Sequence, residues 1–183
     1  MKKIDLIKAT LVDKPMIEHM WYYYVYDLTR YCGFMRGGNP TELSFKSDDL
    51  TKYFIVPHNH LYLVNIDDEI SGFVLVKKLE IMPAVDWFLS EFYIVSKFQG
   101  TGIGSAVAKE IFEKFPGEWS VGVLPENAGA LKFWRKLISE YVFDNFHEVE
   151  KSSEQLKTAE HPDPYPMIML RFKSPQQKTY FKC

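Results

Sequence analysis

Glu91-Phe92-Tyr93-Ile94-Val95-Ser96-Lys97-Phe98-Gln99-Gly100-Thr101-Gly102-Ile103-Gly104-Ser105 reads as an apolar strand that stops in a glycine turn and restarts at once as a helix, Ile103 to Lys114. Such a junction points several unpaired backbone N–H groups at one spot, and the helix dipole adds positive potential there. It is an anion site suited to phosphate. Gly100, Gly102 and Gly104 let the backbone turn sharply and approach a ligand with no Cβ in the way. A plain glycine turn ahead of a core helix would use the same residues.

Two phosphate loops can be tested against this spacing, and both fail. The dinucleotide fingerprint requires a third glycine at Ser105 or Val107, and a Walker loop requires a Gly-Lys-Ser/Thr ending that the chain lacks. What remains is Gln99-x-x-Gly102-x-Gly104, followed after a strand (Trp119 to Leu124) by Asn127-x-x-Ala130-x-x-Phe133-Trp134. Asn127 is suited to cap the second helix, and Ala130 is small enough to admit a neighbour. A capped amphipathic helix with Phe133, Trp134 and Leu137 in the core would read the same way.

Together, in this order, the two motifs resemble the pyrophosphate loop and the Asn-x-x-Ala-x-x-Phe-Tyr helix of the GNAT superfamily of N-acetyltransferases. The wording around Glu91-Phe92-Tyr93 and Pro116-Gly117-Glu118-Trp119 looks like an uncharacterised subgroup of predicted acetyltransferases. The resemblance implies that acetyl-CoA is held by Ile94, Val95, Gln99, Gly100, Thr101, Gly102, Ile103, Gly104, Ser105, Asn127, Phe133 and Trp134. It also implies direct transfer from thioester to a primary amine, with the N–H around Ile94 on the thioester carbonyl. The tyrosine that protonates the departing thiolate in the family is replaced here by Trp134. Tyr141, two helical turns on, is the substitute candidate, and water is the alternative.

Transfer to a lysine-like amine of pKa near 10.4 requires roughly 4.6 kcal/mol to expose the neutral amine at pH 7, so a base is needed. In the family a glutamate placed like Glu91 acts as that base, usually through water. Glu91 is the only carboxylate inside the apolar strand, and alternation puts it with Tyr93 on one face and Phe92 with Ile94 on the other. A buried carboxylate has its pKa raised toward the useful range; a structural carboxylate paired with a cation is the competing reading.

Outward from this centre, the chain reads β-α-α-β-β-β-α-β-α-β-β, an α/β (α+β) domain with a mixed, mostly antiparallel sheet. Expected elements are a strand at 3–10, a helix from Asp13 and Pro15 to Tyr31, a loop at 32–39, a short helix at 47–53, a hairpin of 61–66 and 70–80, and strands at 87–95, 141–149 and 167–172. In the first helix, Ile17, Met20, Trp21, Tyr24, Leu28 and Tyr31 form a core stripe by spacing. Tyr23 and Asp27 lie off it and are expected to line the acceptor site, Asp27 with an i, i+3 pairing to Arg30 as the bland alternative.

At 183 residues, 46% hydrophobic and 25% charged, the chain supports one domain, 1–183, with a polar tail from about 173. Its net charge of −2 and pI near 6.2 give no basic footprint for nucleic acid or anionic membrane. Two cysteines, Cys32 and Cys183, no secretory signal and no long apolar run predict a cytoplasmic protein. The five histidines show no metal-ligand spacing, so no metal is expected. The expected partners are acetyl-CoA and a small-molecule or peptide amine, which the acidic stretch from Asp144 to Asp163 suggests is cationic; a homodimer is left open. A non-catalytic acyl-CoA sensor on the same fold is the main alternative, and a nucleotide-phosphate module unrelated to CoA the next.

Overall fold

A computed structural model describes residues 2–32, 48–78, 81–158 and 164–175. Seven strands form one sheet in the order β1-β2-β3-β4-β5-β7-β6, where β1 is Ile4–Lys8, β2 His60–Ile66, β3 Glu69–Lys77, β4 Trp87–Ile94, β5 Glu118–Val123, β6 Phe146–Lys151 and β7 Met167–Lys173. Every neighbouring pair is antiparallel except β4 with β5. The β2–β3 hairpin closes on Asp67 and Asp68, both at positive φ, the two-residue geometry that matches strand twist.

Helices cover both faces. On the front lie α1 (Lys14–Cys32) and α2 (Asp48–Ile55), whose Ile17, Leu50 and Tyr53 pack with Leu61, Leu63, Phe73, Leu75 and Tyr93. On the back lie α3 (Ile103–Lys114) and α4 (Ala128–Val142), packed through Val107, Ile111, Phe112, Trp134 and Ile138 onto Val64, Val74, Val76, Trp119 and Leu170. Because both faces of β2 and β3 are covered, these strands read as continuous apolar runs rather than alternating ones. A smaller front cluster of Met82, Val85, Phe88 and Met169 completes the layer over β5 and β7.

The element order follows the sequence expectation, with three differences. Residues 141–145 are not strand: α4 runs through Val142, Phe143 and Asp144 turn the chain at positive φ, and β6 starts only at Phe146. A short helix, α5 (Ser153–Leu156), is set into the polar stretch by a capping box between Ser152 and Gln155. Residues 173 and 174, expected to open the polar tail, are part of the fold: Lys173 pairs with Glu118 and the buried Ser174 exchanges hydrogen bonds with Gly117. The expected 32–39 loop lies outside the described residues from Gly33 onward, as do His161, Asp163 and Cys183.

Candidate active site

The site begins as a defect in strand pairing. β4 and β5 run parallel over only three pairs, Trp87 with Trp119, Phe88 with Ser120 and Leu89 with Val121, and then part. On its other edge β4 skips a residue: Leu75 faces Glu91 and Val76 faces Leu89, so Ser90 has no opposite number on β3. This bulge breaks the alternation that simple strand reading assumes. Ser90 and Glu91 both face the front helices, where Tyr53 donates to Ser90 Oγ at 2.9 Å and Tyr24 donates to Glu91 Oε2 at 2.5 Å.

A cavity of about 230 Å³ fills the opening between β4 and β5. Front and back contribute differently. Trp21, Tyr24, Val25 and Leu28 of α1 line the front with Glu91 and Tyr165, while Asn127, Ala130 and Trp134 of α4 line the back with Phe92. Beyond the bulge, the Val95 N–H donates to Ser71 O, which makes Ile94–Gly72 a non-hydrogen-bonded antiparallel pair. By the same alternation the N–H groups of Phe92 and Ile94 point away from β3, into the opening.

Glu91 is the electrostatic centre of this cavity. Burial pushes its carboxyl up to about 7, against the opposing pull of the Tyr24 hydrogen bond and the Lys77 charge. The group therefore changes charge near neutral pH, which suits it to accept and return a proton. Glu91 is half-buried and lines the cavity.

The glycine loop meets the back of the site at the start of α3. Gly102 caps that helix at φ 86°, and Gly100 turns at φ 73°, both in the left-handed region. The first N–H groups of α3, from Ile103, Gly104 and Ser105, form the open end of the helix. A Cβ on Gly104 would lie 3.5 Å from the Phe133 ring, so the loop and α4 adjoin at this point. Asn127 caps α4, accepting from the Ala130 N–H at 3.0 Å. Thr101 Oγ1 donates to Phe98 O, and Gln99 Nε2 donates to Ile94 O at 2.8 Å, bracing the loop against the strand end.

Several other expected site residues lie outside the cavity lining. The Val95 N–H is occupied by Ser71 and the Gln99 amide by Ile94, so neither group is presented to the cavity. Tyr141 lies within α4, not on a strand, and packs between Phe112 and Phe172 with its hydroxyl buried and unpaired among the described residues. Burial and the nearby Glu113 charge push its phenol up to about 12. Tyr141 does not line the cavity. Tyr23 is 64% exposed and Asp27 pairs with Arg30 at 3.5 Å; neither lines the cavity, although both are near enough to Tyr93 to raise its phenol, after burial. Among the described acidic residues after α4, Asp144 accepts from Ser139, Glu148 binds Arg135 at two points and Glu154 pairs with Lys157.

Tyr24 and Tyr165 are among the cavity residues that the sequence reading did not assign to the site. Tyr24 sat in a stripe assigned to packing, and its one distinguishing mark was a hydroxyl among otherwise mostly apolar neighbours. Tyr165, between Pro164 and Pro166, carried no comparable signal.

A family model described as the acetyltransferase (GNAT) family matches residues 21–138. The chain belongs to the GNAT acetyltransferase family. An acetyltransferase from Thermus thermophilus shares the fold at a TM-score of 0.64 and 17% identity, over 93% of this chain and 97% of that one. A GNAT family acetyltransferase from Elizabethkingia anophelis, solved with acetyl-CoA bound, gives 0.55 and 16% over 93% and 97%. A protein from Corynebacterium glutamicum described as histone acetyltransferase HPA2 and related acetyltransferase gives 0.65 and 13% over 96% and 98%. No curated protein matches the sequence. Among the described residues no helix is long and apolar enough to cross a membrane, and no cluster of three or more His, Cys, Asp or Glu could hold a metal.

Proposed function

We propose that this chain is an acetyl-CoA-dependent N-acetyltransferase that moves the acetyl group directly from the CoA thioester to a primary amine. The observation that carries the reading is Glu91, a carboxylate poised near neutrality at the opening between β4 and β5. In this reading the pyrophosphate lies on the N–H groups of Ile103, Gly104 and Ser105, and the pantetheine arm runs between β4 and β5 past Asn127, Phe133 and Trp134. The acetyl group then reaches the opening from the back, and the amine from the front.

Each step has a group to serve it. Glu91 takes a proton from the ammonium, directly or through water, and the neutral amine nitrogen attacks the acetyl carbonyl carbon. The N–H groups of Ile94 and Phe92 stabilise the oxyanion that forms. Glu91 passes this first proton to solvent; the C–S bond then breaks, the CoA thiolate leaves and is protonated by water, and the second proton on nitrogen passes to the again ionised Glu91 and on to solvent. A thiol of pKa near 8.5 is a fair leaving group without a dedicated acid.

Free-thiol release from acetyl-CoA across a panel of primary amines tests this. Amine-dependent release supports it, and tight CoA binding with no release from any amine contradicts it. The second outcome would favour an acyl-CoA sensor, a reading to which the Tyr24 hydrogen bond on Glu91 lends some support because it engages the carboxylate.

A further inference from the structure

The front wall of the cavity bears on what the amine carries behind its nitrogen. Trp21, Val25 and Leu28 present α1 to the cavity, and Leu124 and Met167 close it from β5 and β7. Among the described lining residues Glu91 is the only charged side chain, and Ser90, Tyr24, Asn127 and Tyr165 supply the remaining polar side-chain atoms apart from the Trp21 and Trp134 indoles. Glu91 is needed for the reacting nitrogen. A second cation on the acceptor would enter a wall of Val, Leu, Trp and Met in which the described residues supply no further counter-charge, and burying an unpaired ammonium is strongly unfavourable. Such a wall instead rewards apolar area removed from water. It also lowers the pKa of the reacting ammonium by desolvation, which eases the proton loss that precedes attack.

We infer that the acceptor is a primary monoamine with an apolar body, an alkylamine or arylalkylamine, selected by the Trp21–Val25–Leu28 face of α1 against di- and polyamines. This rests on the acetyl-transfer reading for its chemistry, but the preference itself belongs to the cavity and can be measured as binding.

Hexylamine and 1,6-diaminohexane form a matched pair that differs by one terminal ammonium. At pH 7.5, kcat/KM by thiol release should be at least about tenfold higher for hexylamine, the scale on which a modest penalty for a buried charge appears in a rate ratio. Val25→Asp should reverse or abolish that ratio by giving the second ammonium a partner, and Leu28→Asp repeats the test one helical turn on should the first variant fold poorly. Equal or better use of the diamine by the wild type overturns the inference while leaving the transfer reading intact. Should no amine release thiol, the transfer reading fails, and calorimetric binding of the same two amines to the CoA-loaded protein still decides the preference: tighter hexylamine binding supports it, equal or weaker binding overturns it.

Discussion

The Tyr24 hydroxyl of α1 donates to Glu91 Oε2 of β4 at 2.5 Å, joining the front helix to the bulged strand at the cavity wall. A donor to the ionised carboxylate favours that form, so this bond holds the Glu91 pKa below where burial alone would put it. Tyr24→Phe should therefore move the acid limb of the pH–rate profile upward from near 7. At pH 6.5 the rate should fall by about 3- to 10-fold, with recovery by pH 8.5 and an unchanged KM for acetyl-CoA. A variant that loses thermal stability but keeps the wild-type pH profile would reduce Tyr24 to packing.

Glu91 should also weaken the fold as pH rises. Its folded-state pKa of about 7 lies above the ordinary value of 4.5, so between those values the native protein binds the extra proton. Stability from this group is present at low pH and lost as pH climbs through 7. Glu91→Gln should then be more stable than wild type at pH 8, by about 1–3 kcal/mol after allowance for the partial exposure of the carboxylate, with the difference vanishing below about pH 4.5. Paired thermal melts at pH 4.5 and 8 check the sign.

The glycine loop makes a separate claim. Acetyl-CoA should raise the melting temperature of the wild type, and Gly102→Asp should remove that shift. The substitution places a side chain in the left-handed region at φ 86° and a like charge beside the pyrophosphate. If the variant folds and is still stabilised as the wild type is, the phosphate site lies elsewhere.

The expectation of Tyr141 as proton donor is open to a direct test. Its hydroxyl is buried without a partner among the described residues, so Tyr141→Phe should leave kcat unchanged and stabilise the fold by about 1 kcal/mol. A kcat loss of tenfold or more would restore it to the reaction.

The local features legible in the sequence are those set by short-range chemistry. Glycine at 102 is demanded by a helix start in the left-handed region, and Asn127 by an uncapped helix end, and both needs are visible within a few residues. The features that were not legible depend on partners distant in the chain. The Ser90 bulge is a register difference between β3 and β4, so alternation along β4 could place Glu91 and Tyr93 together but not Ser90 beside them. The spacing of Tyr24 is the same whether its ring merely packs or its hydroxyl reaches a residue 67 positions away. Tyr141 was expected at the start of a strand, while packing on Phe112 and Phe172 accompanies a helix that continues to Val142. Tyr23 and Asp27 were placed on the acceptor side by exclusion from the core stripe, yet the cavity takes Tyr24 and Leu28 from that stripe, because the core and the cavity wall are one continuous face of α1.

The claim that Glu91 is the general base is tested most directly by the pH dependence of amine-driven thiol release in wild type and Glu91→Gln, with hexylamine as acceptor. The wild-type rate should rise through an apparent pKa near 7, following the carboxylate. Glu91→Gln should be slower by about 10² to 10⁴ near neutral pH, the usual range for losing a positioned base, and the deficit should shrink toward pH 10 as the amine loses its own proton. Acetyl-CoA binding should be nearly unchanged. A Glu91→Gln enzyme with the wild-type rate and the same limb near pH 7, or one that loses acetyl-CoA binding and rate together, would contradict the account.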